Sequence, residues 1–444
     1  MFKEKKFLII LFLISFLIRS SVFLFYLSKN ENYWQVDSNT YHLIAENIAQ
    51  NKGISADGQN PNFYRLPGYP LFLSIYYKFF GPDKKNALWL QIILASFIPI
   101  LIFFFSLALF PENILLAKVA SLYSCFHLGL VLYSGFYMTE SLFLFLFLLF
   151  FILLFKNAFL AGLFLGLAGL VRPVGHYLII ISIFVLFLSC DFIVNKLKKG
   201  LLFFIGWLIP VLPWLLRNYI LLGQFFFHTL PGGHFLYFSA TRVAMHPYQC
   251  TYQESREIID QKRDVLFKKQ EEISSRDLSE IEKCNIMQNL AVRYFKKYPL
   301  ITLKHWLTDI MRTSLSLYSG ELVLLDNDKN PPDYFSKDHT IWTMFKRYLF
   351  PQTNNIALRF IIILEILTFI FILMGFFLGL LQATLNGSEY CVWVKILPFI
   401  TLFIVIGLSG GFSRMRLPIE PFLIVLSLRY WISWFVASNH KKSF

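Results

Sequence analysis

Long apolar blocks recur along the chain, and they constrain its fold more than any other feature of the sequence. Each block runs for roughly 20 residues, which is enough for a helix to cross a hydrocarbon layer about 30 Å thick. Of the 444 residues, 56% are hydrophobic and only 15% are charged, whereas soluble domains carry roughly 25% charged residues. The sequence therefore predicts an all-α polytopic membrane protein, and it excludes a soluble enzyme.

About ten transmembrane helices are expected from these blocks. Basic residues mark the N-terminus, the loop around Lys198 and the tail around Lys441. Because cytoplasmic loops carry an excess of Lys and Arg, both termini are expected in the cytoplasm, and a bacterial plasma (inner) membrane is the expected location. The expected spans are 7–27, 88–109, 114–134, 140–155, 158–171, 174–190, 200–216, 356–381, 395–410 and 417–437.

Two long polar stretches fall on the external side of this topology. The first, 28–87, belongs to an N-terminal membrane module at 1–216, and within it 41–49 and 69–80 are predicted to be helices lying in the membrane interface. The second is a large external loop at 217–355, which precedes C-terminal membrane helices at 356–444. Its sequence predicts helices at 254–272, 278–297 and 299–316 and a loop at 327–333.

The net charge of +14 does not indicate nucleic-acid binding. The large external loop is nearly balanced in charge, so the excess of basic residues lies at the edges of the apolar blocks, where lipid headgroups account for it. Membrane lipids are therefore expected partners, and nucleic acid is not. The five cysteines lack metal-binding spacing. Cys250 and Cys284 either pair or stay unpaired, no cofactor is certain, and a role for a divalent cation is left open.

Ionisable side chains from six regions of the chain lie just beyond span ends on the external face. Charges at membrane depth are costly, and clusters of them tend to be functional. A carboxylate can act as a general base, and guanidinium groups bind phosphate through paired hydrogen bonds. Such a mixture suits an amphiphilic substrate with a phosphate headgroup, but it also suits a transporter of anions. The residues are Asp37, Arg65, Glu140, Arg172, Arg217, Arg414 and Arg416.

The motifs around these residues resemble those of the glycosyltransferase-C superfamily. The similarity is greatest to its bacterial branch, which is related to dolichyl-phosphate-mannose protein mannosyltransferases and to aminoarabinose transferases of lipid A. The motifs occur in the same order and in matching topological places over most of the chain, except inside the large external loop. They are VDSNTYHLIAENIAQNKG (36–53), YRLPGYPLF (64–72), MTESLFLFL (138–146), GLFLGLAGLVRPVG (162–175), PWLLRNY (213–219) and RMRLPIEPFLIVL (414–426).

The resemblance implies transfer of a sugar from a polyprenyl-phosphate donor, with inversion, to a lipid or cell-envelope glycan on the non-cytoplasmic face. It implies that Asp37 is the catalytic base and that Glu140 is a second acid near the sugar or acceptor. Protein mannosyltransferases carry Glu after this Asp, and Ser38 here argues against a protein acceptor. The residues implied to hold the phosphate or the sugar are Arg65, Tyr69, Arg172, Arg217 and Arg414 or Arg416. The alternative is a polytopic transporter or flippase of an anionic or lipid-linked substrate, which predicts broken helices at mid-membrane depth.

Three further expectations concern local structure. Glu140 is expected in the first turn of a helix, with Thr139 as its cap. Arg414 and Arg416 are two residues apart and cannot share a helical face, so at most one of them is expected to reach the site. Glu365, inside the eighth span, is expected to pair with another span.

Overall fold

The computed structural model describes residues 4–188, 192–326, 353–387, 389–406 and 413–442. Within these ranges the backbone is mainly helical, and the one β-pairing is an isolated bridge between Ser55 and Pro61. The predicted all-α polytopic membrane fold is therefore confirmed. The predicted loop at 327–333 and the end of the predicted ninth span, 407–410, lie outside the described residues.

The membrane helices of the N-terminal half alternate with short connections. Lys5–Val22 (α1) continues as a π-helical turn at Phe23–Leu27, and the first external loop contains Ser38–Ala49 (α2) and Gly68–Phe80 (α3). Both loop helices agree with the periodicity of the sequence. The remaining helices of this half are Lys84–Ser96 (α4), Ile98–Leu109 (α5), Ile114–Phe126 (α6), Leu128–Gly135 (α7), Glu140–Leu153 (α8), Ala158–Val171 (α9), Val174–Phe187 (α10) and Ile193–Leu222 (α11).

The described part of the large external loop is mostly helical. Its charged helices begin with the capping boxes Thr251 with Glu254 and Ser279 with Glu282, which satisfy otherwise unpaired N–H groups. The loop helices are Leu230–His234 (α12), Thr241–Tyr248 (α13), Tyr252–Ser274 (α14), Glu280–Lys297 (α15), Pro299–Leu315 (α16) and Ser319–Asp326 (α17). The C-terminal helices are Ile356–Asn386 (α18), Tyr390–Ile406 (α19), Ser413–Arg416 (α20) and Glu420–Lys442 (α21).

The candidate membrane helices fall into two length classes. Five segments among the described residues are long and apolar enough to span a membrane, and a sixth is counted if α6 and α7, which meet at an angle of 52°, form one broken span. Four further apolar helices, α8, α9, α10 and α19, are shorter. Each of the ten spans expected from the sequence corresponds to one of these helices or helix pairs.

Polar side chains define where the apolar helices begin. Asp83, Asn113 and Asn157 each accept a hydrogen bond from the backbone N–H three residues later, at 2.9, 2.9 and 3.1 Å. These bonds satisfy amides that a helix start leaves unpaired. Asn113 thus marks the boundary between α5 and α6, and Asn157 marks the boundary between α8 and α9, although only a few residues separate the apolar runs.

Glycines allow α9 and α11 to pack with their backbones almost in contact. A Cβ at Gly206 would lie 2.1 Å from the carbonyl oxygen of Phe159, and one at Gly162 would lie 2.0 Å from that of Phe203. Such close approach is typical of membrane helix pairs with small residues at the interface. The contact matters for the site because α9 ends immediately before Arg172, and α11 contains Arg217.

Two expectations about polar groups have clear outcomes. Cys250 and Cys284 are both free thiols, so of the two alternatives the structure has the unpaired one. The carboxylate of Glu365 accepts hydrogen bonds from the backbone N–H groups of Tyr318 and Ser319, at 2.6 and 2.8 Å. Its partner is thus loop backbone at the start of α17 and not another span, because that helix start needs an acceptor for its amides.

Replacing Gly206 with Ala is expected to lower the thermal stability of the protein in detergent. The added methyl group would collide with the backbone of α9, which cannot move aside as a flexible side chain can. The matched control is Gly200→Ala in the same helix, where the new Cβ would lie 3.5 Å from the Phe187 ring. That control should be neutral or slightly stabilising, because Ala favours a helix over Gly by roughly 0.5–1 kcal/mol. Equal melting temperatures for the two variants would show that α9 and α11 are not in close contact.

Candidate active site

The first external loop presents Asp37 at the start of α2 without using it as a helix cap. The carboxylate of Asp37 accepts no hydrogen bond from the backbone of α2, so it is available to side chains. The neighbouring Ser38 fixes the backbone here, because its hydroxyl accepts from the Gln35 N–H at 2.8 Å and donates to the Tyr137 carbonyl at 2.8 Å. Ser38, the residue that departs from the mannosyltransferase pattern, therefore ties the loop to the segment before α8.

Two arginines from distant parts of the chain hold the carboxylate of Asp37. Arg65 donates from Nη2 to Oδ1 at 2.7 Å, and Nη1 of Arg414 lies 3.7 Å from Oδ2. The Asp37 side chain keeps 25% of its exposure and that of Arg414 29%, so a small group could reach both. The guanidinium of Arg65 also lies over the ring of Tyr41, 5.0 Å from its centroid, which fixes its orientation.

The charges around Asp37 determine its protonation. Burial alone would raise its pKa, but the positive charges of Arg414, Arg65 and Arg172 outweigh burial, and the pKa is lowered from its ordinary value. An opposite charge within a few ångströms favours the ionised form of an acid. Asp37 is thus a carboxylate at neutral pH.

A second buried ion pair lies beside the first. Arg172, which directly follows α9, donates from Nη1 to Oε1 of Glu140 at 2.5 Å, and the side chains keep 13% and 2% of their exposure. Glu140 is the first residue of α8, where the helix dipole favours a negative charge. Thr139 occupies the N-cap position of this helix, as expected. Its hydroxyl makes no cap bond, and it lies 3.4 Å from the Glu140 carboxylate.

A buried amide fixes the segment between α7 and α8 on which Glu140 depends. Gln91 in α4 donates from Nε2 to the carbonyls of Ser134 and Phe136 at 2.9 and 2.7 Å. Its Oε1 accepts a hydrogen bond from the hydroxyl of Tyr69 at 2.8 Å. Tyr69 therefore stabilises the site through its hydrogen bond to Gln91 and its edge-to-face packing on Tyr41.

A close approach of backbones places the first loop against the end of α9. A Cβ at Gly68 would lie 2.7 Å from the carbonyl oxygen of Leu170, so only glycine fits at the start of α3. This contact brings the Arg65 segment next to Arg172. The motif at 64–72 thus supplies the positive charge of Arg65 and, through Gly68, the close packing that positions it.

The large external loop adds groups to the site that the sequence alone did not reveal. Glu321 in α17 accepts a hydrogen bond from the hydroxyl of Tyr133 at 3.1 Å, and it interacts electrostatically with Arg414 and Glu140. Burial raises its pKa. Burial and then the charge of Arg414 lower the pKa of His234 to about 4, so this imidazole is neutral at neutral pH. The only available signal for Glu321 was an acid inside the apolar run GELVLL (320–325).

Two of the predicted arginines lie elsewhere. Arg217 donates to the backbone carbonyls of Asn62 and Ile54 at 3.1 and 3.3 Å, so it holds the first external loop and not Asp37. Arg416 donates from Nε to Glu420 at 2.7 Å and from Nη1 to the carbonyl of Ser314 at 2.8 Å. As their spacing predicts, Arg414 and Arg416 face different partners, and only Arg414 reaches Asp37.

The acids of the site are paired with arginines and with one tyrosine hydroxyl. Among the residues that the structure describes, no group of three His, Cys, Asp or Glu side chains is arranged to hold a metal ion. The chemistry these residues can perform themselves is to accept a proton at Asp37 and to neutralise an anion beside Arg65, Arg414 and Arg172.

Comparison with known proteins gives one structural likeness. No protein-family model matches the chain, and no curated protein matches it. Among solved structures, the crystal structure of ArnT from Cupriavidus metallidurans in the apo state is similar at 13% sequence identity and a TM-score of 0.33, over 89% of this chain and 72% of that one. A TM-score of 0.33 does not match individual residues of the two chains.

Replacing Arg65 with Gln is expected to shift the acid unfolding of the protein to higher pH. In the wild type, the lowered pKa of Asp37 contributes stability above the ordinary carboxyl pKa, and this contribution is lost as pH falls through the lower folded-state pKa. Removing one positive charge raises that folded-state pKa, so the loss comes earlier on acidification. Thermal unfolding measured from pH 3 to pH 7 checks this shift. Arg217→Gln is the control, and an equal shift in that variant would contradict the assignment.

Replacing Glu140 with Gln is expected to destabilise the protein by about 3–5 kcal/mol, because Arg172 then stays buried without its carboxylate. The variant Glu140→Gln/Arg172→Gln should lose less than the sum of the two single changes, since it leaves no unpaired charge. Thermal unfolding in detergent measures all three variants. Arg276→Gln, which breaks the exposed pair with Glu282, is the control and should change little. Strictly additive losses would show that Glu140 and Arg172 do not interact.

Proposed function

We propose that this protein is a membrane glycosyltransferase of the glycosyltransferase-C type. It transfers a sugar from a polyprenyl-phosphate donor to a hydroxyl group of a lipid or cell-envelope glycan, on the outer side of a bacterial inner membrane with both termini in the cytoplasm. The observation that carries the proposal is the carboxylate of Asp37 held between Arg65 and Arg414, with the Glu140–Arg172 pair beside it. One carboxylate that accepts a proton next to several guanidinium groups is what transfer from a phosphate leaving group needs.

The reaction would use these groups as follows. The acceptor oxygen forms a bond to C1 of the sugar while the bond between C1 and the phosphate oxygen breaks, and attack from the opposite face inverts C1. The proton of the acceptor hydroxyl passes to Asp37. The electron pair leaves with the polyprenyl phosphate, whose charge Arg65, Arg414 and Arg172 stabilise. Glu140 orients Arg172 through their ion pair.

Donor binding would also adjust the basicity of Asp37. With its pKa lowered by three arginines, this carboxylate is a weak base in the structure described here. A phosphate bound by Arg65 and Arg414 brings negative charge beside Asp37 and occupies guanidinium groups that now stabilise its ionised form. Both effects raise the pKa of an acid, so Asp37 becomes a stronger base only when the donor is present.

The setting of the site supports a lipid-linked donor. The helix α3, which begins three residues after Arg65, exposes an apolar stripe of Leu71, Ile75 and Phe79, with exposed fractions of 41, 57 and 74%. Residues spaced by four lie on one helical face, and such a face rests in a bilayer surface. A donor whose tail remains among the lipids could therefore present its phosphate at Arg65.

A transporter or flippase is the second candidate, and one observation favours it. The helices α6 and α7 meet at 52° around His127, whose Nε2 lies 3.4 Å from Glu420. Glu420 also accepts hydrogen bonds from Arg416 and Tyr318. A broken apolar helix beside buried ionisable groups occurs along transport paths. A vesicle assay with a labelled lipid-linked sugar separates the two, because a transferase moves label to an acceptor whereas a flippase moves the intact lipid across the membrane.

Replacing Asp37 with Asn is expected to abolish sugar transfer, since an amide cannot accept the proton. The measurement is complementation of a deletion strain, with surface glycans and lipids analysed by mass spectrometry and membrane insertion checked in the same cells. The matched control is Asp83→Asn in the same external loop, where Asn caps α4 as well as Asp does. It should restore the glycan as the wild type does. Full restoration by Asp37→Asn would remove Asp37 as the base and favour the transporter.

A further inference from the structure

A cavity of about 350 Å³ lies at the ends of the membrane helices that are farthest from Asp37. The helix α8 runs from Glu140 in the candidate active site to Leu153, and α9 returns from Ala158 to Val171, next to Arg172. A helix of 14 residues is about 21 Å long. The cavity, whose lining includes Leu154 and Ala158, therefore belongs to the opposite end of the same helices and not to the active site.

Three lysines from three separate parts of the chain converge on this cavity. Lys156 follows α8, Lys199 lies in the second turn of α11, and Lys395 lies in the second turn of α19. Among the residues that the structure describes, those that line the cavity include no acid. Nζ of Lys395 lies 5.1 Å from the ring centroid of Phe155, and this cation–π contact holds the ammonium group at the cavity wall. The start of α9 adds the positive end of a helix dipole.

Apart from the lysines, the lining of the cavity is apolar. It includes Leu109, Leu154, Leu186 and Val392, contributed by the ends of four chain segments. A freely soluble anion gains nothing from such walls, whereas the glycerol and first methylene groups of a lipid would pack against them. Basic pockets between membrane helices are typical binding sites for anionic headgroups.

We propose that this cavity binds the phosphate group of an anionic phospholipid from the leaflet opposite to the Asp37 site. The lysines donate hydrogen bonds to the phosphate oxygens, and the apolar wall receives the upper part of the acyl chains. A bound lipid would bridge the ends of α5, α8, α10, α11 and α19. The inference does not depend on sugar transfer, because it concerns other residues and a binding step alone.

The test measures lipid binding to the full-length protein in detergent by native mass spectrometry. Phosphatidylglycerol should bind to the wild type, and phosphatidylcholine of the same chain length should not. Lys156→Ala and Lys395→Ala should each weaken binding about fivefold, and the double variant about 25-fold, if each lysine contributes as basic residues do at an anionic surface. Lys198→Ala is the matched control, because Lys198 belongs to the same helix as Lys199 but does not line the cavity. It should bind as the wild type does.

Two further arms keep the test decisive. Lys395→Arg retains the charge and should bind phosphatidylglycerol as the wild type does, so it separates loss of charge from loss of folding. Asp37→Asn should also bind normally, which makes failure of this inference distinguishable from failure of the proposed function. Equal binding of the two lipids by the wild type, or an equal loss in Lys198→Ala, would overturn the site. Displacement of the lipid by millimolar inorganic phosphate would reassign the cavity to a soluble anion.

Discussion

The pairing of buried and partly buried charges organises this molecule. An isolated charge in a low-dielectric region costs several kcal/mol. In the described structure, oppositely charged side chains from distant parts of the chain offset this cost. Asp37 is held by Arg65 and Arg414, and Glu140 by Arg172. Each ion pair joins a loop or a helix end to a different part of the fold. The contacts that stabilise the charges therefore also hold the tertiary structure together around the site.

The same ion pairs affect both the stability of the fold and the ability of the site to bind an anion. Arg65, Arg414 and Arg172 each interact with a carboxylate, and a phosphate ligand would have to share these arginines. The guanidinium groups are thus held in place by contacts within the protein. Preorganised donors of this kind need no reorientation when charge develops on a leaving group. The neutral His234 and the buried Glu321 are two further polar groups that interact electrostatically with Arg414.

The sequence predicted the parts of the structure that depend on periodicity and on membrane crossing. The helices α2 and α3, the five or six candidate spans and the four shorter apolar helices follow from apolar spacing. Topology placed Asp37 and one of Arg414 and Arg416 on the same external face, but it did not show which arginine contacts Asp37. Topology could not show which way a side chain faces. Arg172 and Arg217 had the same signal, yet Arg172 pairs with Glu140 in the candidate site and Arg217 donates to backbone carbonyls of the first loop. Glu321 was missed because the large external loop has no membrane constraint that fixes its position.

The shortness of α10 has a consequence for the surrounding bilayer. This helix has 14 residues and exposes Tyr177, Ile180 and Phe184 on one face, with exposed fractions of 51, 73 and 56%. At about 21 Å it is shorter than a hydrocarbon layer of about 30 Å, so the lipids beside it must thin or the flanking polar groups must stretch to the headgroups. Because α10 begins two residues after Arg172, one end of this short helix lies next to the candidate site. A bilayer that thins beside α10 would bring its headgroup layer closer to Arg172 than a bilayer of ordinary thickness would.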